Sequence, residues 1–160
     1  MNRFSAWKCL TLVVLCWVAS PAGIFAAENL TLAPGLSFTD DSSDRFPITG
    51  DRLDDGIVGP VRPTLVFFGA AHCWNTNREA ERVVALYPKF KDRIRFVVVD
   101  VNHPSNDQRG LVRAHYHGSI PTVVVLGVDG AVLHDRPGET ASHRGDTAAL
   151  AEFLSDALAR

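Results

Sequence analysis

Thiols are scarce in this chain. Three cysteines occur in 160 residues, and two of them, Cys9 and Cys16, fall within the first 26. Without that stretch Cys73 is the only thiol left, so no internal disulfide can form. Basic runs are also lacking. The formal net charge is −2 and no cluster of Lys or Arg stands out, which leaves nucleic-acid binding unsupported, since it needs a basic face. There is no Gly-rich phosphate loop, no internal repeat and no low-complexity tract. The longest apolar run, Cys9 to Ala19, is shorter than the ~20 residues of a membrane-spanning helix.

What is present begins with a leader. Arg3 and Lys8 precede that apolar run, and small residues, Pro21 and the sequence GIFAA follow it. This is the layout of a secretory signal peptide. Residues 1–26 are read as that peptide, with cleavage after Ala26 and with Ala22 and Ala27 as alternative sites. An uncleaved anchor is the competing reading. Removing the leader leaves 14 of the 16 basic residues against all 18 acidic ones, a net charge of −4. The product is expected to be exported, periplasmic or secreted, in a compartment that favours disulfides. No stable membrane association is expected once the leader is gone.

Residues 27–62 are rich in turn and breaker residues, as in LAPG, TDDSSD and VGPVRP. They read as a partly ordered lead-in that wraps onto the domain. Leu36-Ser37-Phe38 suggests a short strand and Asp51 to Ile57 a helical turn or two. Asn29-Leu30-Thr31 matches a glycosylation acceptor, and the acidic cluster Asp40 to Asp44 reads as a solvated loop.

From Pro63 the patterns sharpen. TLVFFG (64–69) is a continuous apolar run of strand length, as expected of a strand buried on both faces. Ala80, Val83, Val84 and Tyr87 recur at helical spacing from about Thr76, with Arg78, Glu79, Glu81 and Arg82 placed on the other side. Pro88 is expected to end or kink this helix. IRFVVVD (94–100) is a second buried strand, Gln108 to His115 a short helix, and PTVVVLG (121–127) a third strand. Val128-Asp129-Gly130 turns into a partner strand, AVLHD. Arg136 to Arg144 reads as a loop. Asp146 caps a last helix whose apolar face is Leu150, Phe153, Leu154, Ala157 and Leu158. The helical crossover makes the first two strands parallel and the last two form an antiparallel hairpin. The expected class is α/β, a mixed central sheet with helices on both faces.

Over 64–160 the chain resembles the thioredoxin family. A buried strand, LVFFGA, runs into a loop with Cys73 at the start of a long helix. FVVVDVN follows, then SIPTVVVL, similar to the family's Ile-Pro-Thr stretch, then a DG hairpin and a terminal amphipathic helix. The resemblance implies a thioredoxin fold for 63–160. It also implies a cis bond at Ile120–Pro121, Cys73 as nucleophile, and a client groove shaped by Ile120 and Pro121. The departures are equally specific. The family's Cys-x-x-Cys centre here reads His72-Cys73-Trp74-Asn75-Thr76, with Thr76 replacing the second cysteine. The buried acid often found six residues before the first cysteine is here Phe67.

A thiol at a helix N-terminus meets free N–H groups and the positive end of the helix dipole, both of which favour thiolate. His72 can add charge beside it, and Thr76 can donate a hydroxyl hydrogen bond to the sulfur. Trp74 offers an apolar contact to a client. Such a thiolate can attack a protein disulfide or accept a low-molecular-weight thiol as a mixed disulfide. With no resolving thiol, release needs a second, external one. The expected function is monothiol exchange or covalent client holding by a monomer without a cofactor. Two other readings stay open: a non-catalytic binding module built on the same groove, and copper or zinc binding by Cys73 with His72, His103, His115 or His117. No metal ligand is assigned, and His134 and His143 are given no role.

Overall fold

The computed structural model describes residues 31–32, 46–50, 62–138 and 146–160. In chain order the elements are β1 (Thr31–Leu32), β2 (Ile48–Thr49), β3 (Thr64–Gly69), α1 (Trp74–Phe90), β4 (Arg95–Asp100), α2 (Arg109–His115), β5 (Thr122–Leu126), β6 (Val132–Pro137) and α3 (Thr147–Ala159). The leader, the glycosylation triplet up to Leu30, the 36–38 strand, the 51–57 turn, the acidic cluster and His143 lie outside the described residues.

The main sheet runs β4-β3-β5-β6, and β1 and β2 form a separate two-stranded pair. Every residue of β3 is buried, as a strand without polar alternation requires when both faces are covered. Helix α1 carries the chain across one face, so β4 pairs with β3 in parallel. Strand β5 runs antiparallel to β3, and β6 antiparallel to β5 with a register shift at Val125/Leu126.

Alternation along the strands divides the core. Leu65, Phe67, Phe96, Val98, Val123 and Val125 pack with Ala80, Val83, Leu86 and Phe90 of α1 and with Leu150, Leu154 and Ala157 of α3. Val66, Phe68, Val97, Val99, Val124 and Leu126 face the other way, onto Leu111 of α2. Asp146 caps α3 by accepting the Ala149 amide at 2.9 Å. The lead-in reaches the first core: Ile48 is 1% exposed and the Phe46 ring lies 6.1 Å from that of Phe67.

The outer edge of β4 is covered at two of its carbonyls. Gln108 Nε2 donates to the Val98 carbonyl at 2.9 Å. Gly50 lies so near that an added Cβ would sit 2.7 Å from the Phe96 carbonyl oxygen. Blocking an edge this way removes a template for association.

Three expectations need correction. Helix α1 starts directly after Cys73, as expected, but does not end at Pro88 and continues to Phe90. Phe90 is wholly buried, a gain of roughly 1.5–3 kcal/mol. That gain is comparable with the ~3 kcal/mol a helix-interior proline costs. Arg136 and Pro137 belong to β6 rather than to a loop, paired with Val123 and Thr122. Glu79 and Arg82, expected on the solvent side of α1, are buried at 1% and 6% exposure. Glu79 Oε2 accepts Arg82 Nε at 3.0 Å and also Arg82 Nη2, while its Oε1 accepts Arg136 Nη2. Two guanidinium partners make burial of that carboxylate tolerable.

Candidate active site

Strand β3 ends at Gly69, and a three-residue turn delivers Cys73 to the start of α1. His72 takes a left-handed conformation, φ 57°, a region His visits more readily than most residues. Cys73 is the N-cap, extended at φ −125° and ψ 110°, and its carbonyl accepts the Asn77 amide at 3.0 Å. Its side chain makes no capping hydrogen bond and the first turn holds no acid, so no carboxylate offsets the positive end of the helix there. The thiol is free and half-buried, the sole cysteine among the described residues.

Thr76 is wholly buried, and its Oγ1 accepts the Ala70 amide at 3.3 Å. The hydroxyl makes no hydrogen bond to the Cys73 sulfur, contrary to expectation; it ties the helix start back to the end of β3 instead. The close packing depends on Gly69, where an added Cβ would meet Thr76 Cγ2 at 2.5 Å. Trp74 stands 51% exposed beside the thiol.

The Ile120–Pro121 bond is cis. Pro121 is buried and Ile120 half-buried. Two hydrogen bonds hold this loop: Thr122 Oγ1 donates to the Ser119 carbonyl at 2.7 Å, and the Gly138 amide donates to the Pro121 carbonyl at 2.6 Å. Because Phe68 pairs with Thr122, the Pro121 loop and the Cys73 turn leave the sheet at the same end.

Two of the described histidines lie against carboxylates. His103 Nδ1 lies 3.2 Å from Asp100 Oδ2, and His117 Nε2 lies 3.5 Å from Asp135 Oδ2. Burial pushes His115 below its ordinary value. The Asp135 carboxylate opposes that shift, and His117 adds to it. His134, given no role by the sequence, stacks on Phe153 with ring centroids 3.7 Å apart. Burial and then the Arg136 guanidinium push it down, against Asp135. Among the described residues no three His, Cys, Asp or Glu side chains are placed to hold a metal ion.

The Glu79–Arg82–Arg136 group was missed. A signal existed, because Thr76, Glu79, Val83, Leu86 and Phe90 repeat at alternating spacings of three and four, which is one face of a helix. Reading Glu79 as polar, and therefore exposed, hid it.

A strand followed directly by the cysteine-bearing helix, the order β4-β3-β5-β6, and helices α1 and α3 on one face with α2 on the other decide the architecture. The fold is that of the thioredoxins. No family model matches the chain, and no curated protein matches it. Similar solved structures include thioredoxin O2 from Arabidopsis thaliana in its oxidised state, 16% identical over 60% of this chain and 75% of that one, with a TM-score of 0.47. Mitochondrial thioredoxin 3 from Saccharomyces cerevisiae is 20% identical over 59% of this chain and 77% of that one, TM-score 0.45. A malarial protein is 18% identical over 61% of this chain and 98% of that one, TM-score 0.46.

Proposed function

We propose that this chain is an exported thioredoxin-fold protein that exchanges or holds protein disulfides through Cys73 alone. The observation that carries the reading is the setting of that thiol. It is free at the N-cap of α1, beside a half-exposed Trp74, at the sheet end from which the Pro121 loop also leaves.

The Cys73 thiolate attacks one sulfur of a client disulfide. A new S–S bond joins Cys73 to that sulfur as the old bond breaks, and the departing sulfur leaves as a thiolate that takes a proton from water. One disulfide is exchanged for another, so no external oxidant or reductant is consumed. Thr76 supplies no second thiol, so release follows attack by an external low-molecular-weight or protein thiol. In this reading Trp74, Ile120 and Pro121 contact the client, His72 lies beside the sulfur, and Thr76 fixes the helix start by accepting the Ala70 amide.

The test is trapping in an oxidising export compartment, with the full chain and its Cys73→Ala variant compared on non-reducing gels after thiol blocking. Reductant-sensitive adducts are expected with the native cysteine alone. If none forms, exchange is excluded, and equal non-covalent recovery of clients by both proteins then favours the binding-module reading. Sequencing the N-terminus of the exported protein checks the leader, with Ala27 expected first and an intact Met1 contradicting it.

A further inference from the structure

The apolar contacts of α1 are non-directional. They hold the helix against the sheet without fixing how far it slides or turns. The tie from Glu79 to Arg136 is directional. It joins the second turn of the Cys73 helix to a strand 57 residues further on, with the carboxylate 1% exposed. The same strand controls the Pro121 loop: Pro137 pairs with Thr122, and two residues beyond Arg136 the Gly138 amide donates to the Pro121 carbonyl at 2.6 Å. A short stretch of β6 therefore grips both the helix that begins at Cys73 and the loop that carries Pro121. Buried ion pairs add little net stability, and their best-attested use is to specify register. Both carboxylate oxygens of Glu79 are occupied by guanidinium groups, so it is not placed to relay a proton.

We propose that Glu79 and Arg136 are positioning residues that set Cys73 in register with Pro121 for a client that must engage both. The role depends on the exchange chemistry proposed above. It predicts selectivity: a reagent that needs only the sulfur is indifferent to the tie, whereas a peptide disulfide lying along the groove is not.

The experiment uses Arg136→Met, which leaves the Glu79–Arg82 pair in place, and Arg136→Lys, which keeps a charge but not the forked geometry. Three rates are measured on the exported protein: alkylation of Cys73 by iodoacetamide, mixed-disulfide formation with a model peptide disulfide, and amide exchange at Gly138 and Asn77. In Arg136→Met alkylation keeps its rate. Peptide capture slows roughly tenfold or more, as misplacing reacting groups by about an ångström does, and Gly138 exchanges faster while the β3 amides stay protected. Arg136→Lys falls between, and it decides the matter alone if the methionine variant does not fold. Unchanged capture with unchanged Gly138 protection overturns the proposal, as does an equal fall in alkylation and capture. A native protein that captures no peptide defeats the exchange reading instead, and the Gly138 and Asn77 exchange rates still decide whether the tie positions the two walls.

Discussion

Residue 76 leaves Cys73 without a second thiol one helical turn away. Cys73 is the N-cap and Thr76 the third helical residue, so their side chains share one face, with Cβ atoms about 5–6 Å apart at this spacing. A modest closing movement brings such a pair into disulfide range, where Cβ atoms stand about 3.5–4.5 Å apart. Thr76→Cys is therefore expected to form an intramolecular disulfide with Cys73 in air. With dithiothreitol supplied to re-reduce it, this variant is expected to reduce insulin repeatedly, whereas the native protein is expected to form only a stoichiometric adduct. Thiol counting before and after oxidation checks this, and two thiols that persist in the folded variant would contradict it. The substitution also removes the acceptor of the buried Ala70 amide, costing about 1–3 kcal/mol. Gly69 is the reciprocal constraint. Gly69→Ala places a methyl 2.5 Å from Thr76 Cγ2 inside β3, and overpacking of this kind costs roughly 1–3 kcal/mol. Urea denaturation should show a lower midpoint at unchanged slope.

At the scale of elements, the contact between β6 and α3 carries a pH dependence. His134 of β6 stacks on Phe153 of α3. Burial, and next Arg136, push its value below the ordinary 6.5, with Asp135 pulling weakly the other way. The unfolded chain therefore binds this proton more readily than the folded one. The contribution is complete above pH 6.5 and is lost as pH falls through the window beneath it. Burial lowers His115 as well, so the two act in the same direction. Melting temperatures measured from about pH 7.5 down to about pH 5 should fall, and His134→Phe, which preserves a ring stack, should fall less. An identical profile in that variant would assign the loss elsewhere. This edge also shows where sequence patterns stop informing. The strand-length run at 64–69, the crossover and the Asp146 cap were legible because each is a local pattern of side chains. The end of β6 was not, because Arg136 and Pro137 look like a loop until Val123 and Thr122 are seen opposite them. Glu79 lies on a helical face that local spacing does mark, but its partner Arg136, 57 residues away, leaves no local pattern. The position of Cys73 could be read from the sequence, whereas the ion pair linking its helix to β6 could not.

At the scale of the molecule, the lead-in before Pro63 sends residues into the core of the domain. A boundary there follows the change from breaker-rich sequence to strong periodicity, but Ile48 is 1% exposed in the core shared by β3, α1 and α3. Phe46 packs on the same cluster, and Gly50 passes within contact of Phe96 and Val98. The wrapping was expected from sequence but its anchors were not, because two or three anchoring residues make no repeat. If the lead-in merely rested on the surface, Ile48→Ala would be nearly silent. Because its side chain is enclosed, the substitution removes buried methyl groups and leaves a cavity, at an expected cost of 2–5 kcal/mol. That is a large share of the 5–15 kcal/mol that holds a typical domain. Trp74 is the only tryptophan beyond residue 26, so in a protein lacking that stretch its fluorescence follows the Cys73 end of the domain. A drop in the urea midpoint seen by Trp74 fluorescence and by far-ultraviolet circular dichroism together is expected for Ile48→Ala. A change confined to proteolysis of residues before 62, with the Trp74 transition unmoved, would make the lead-in a separate appendage and restore the boundary at Pro63.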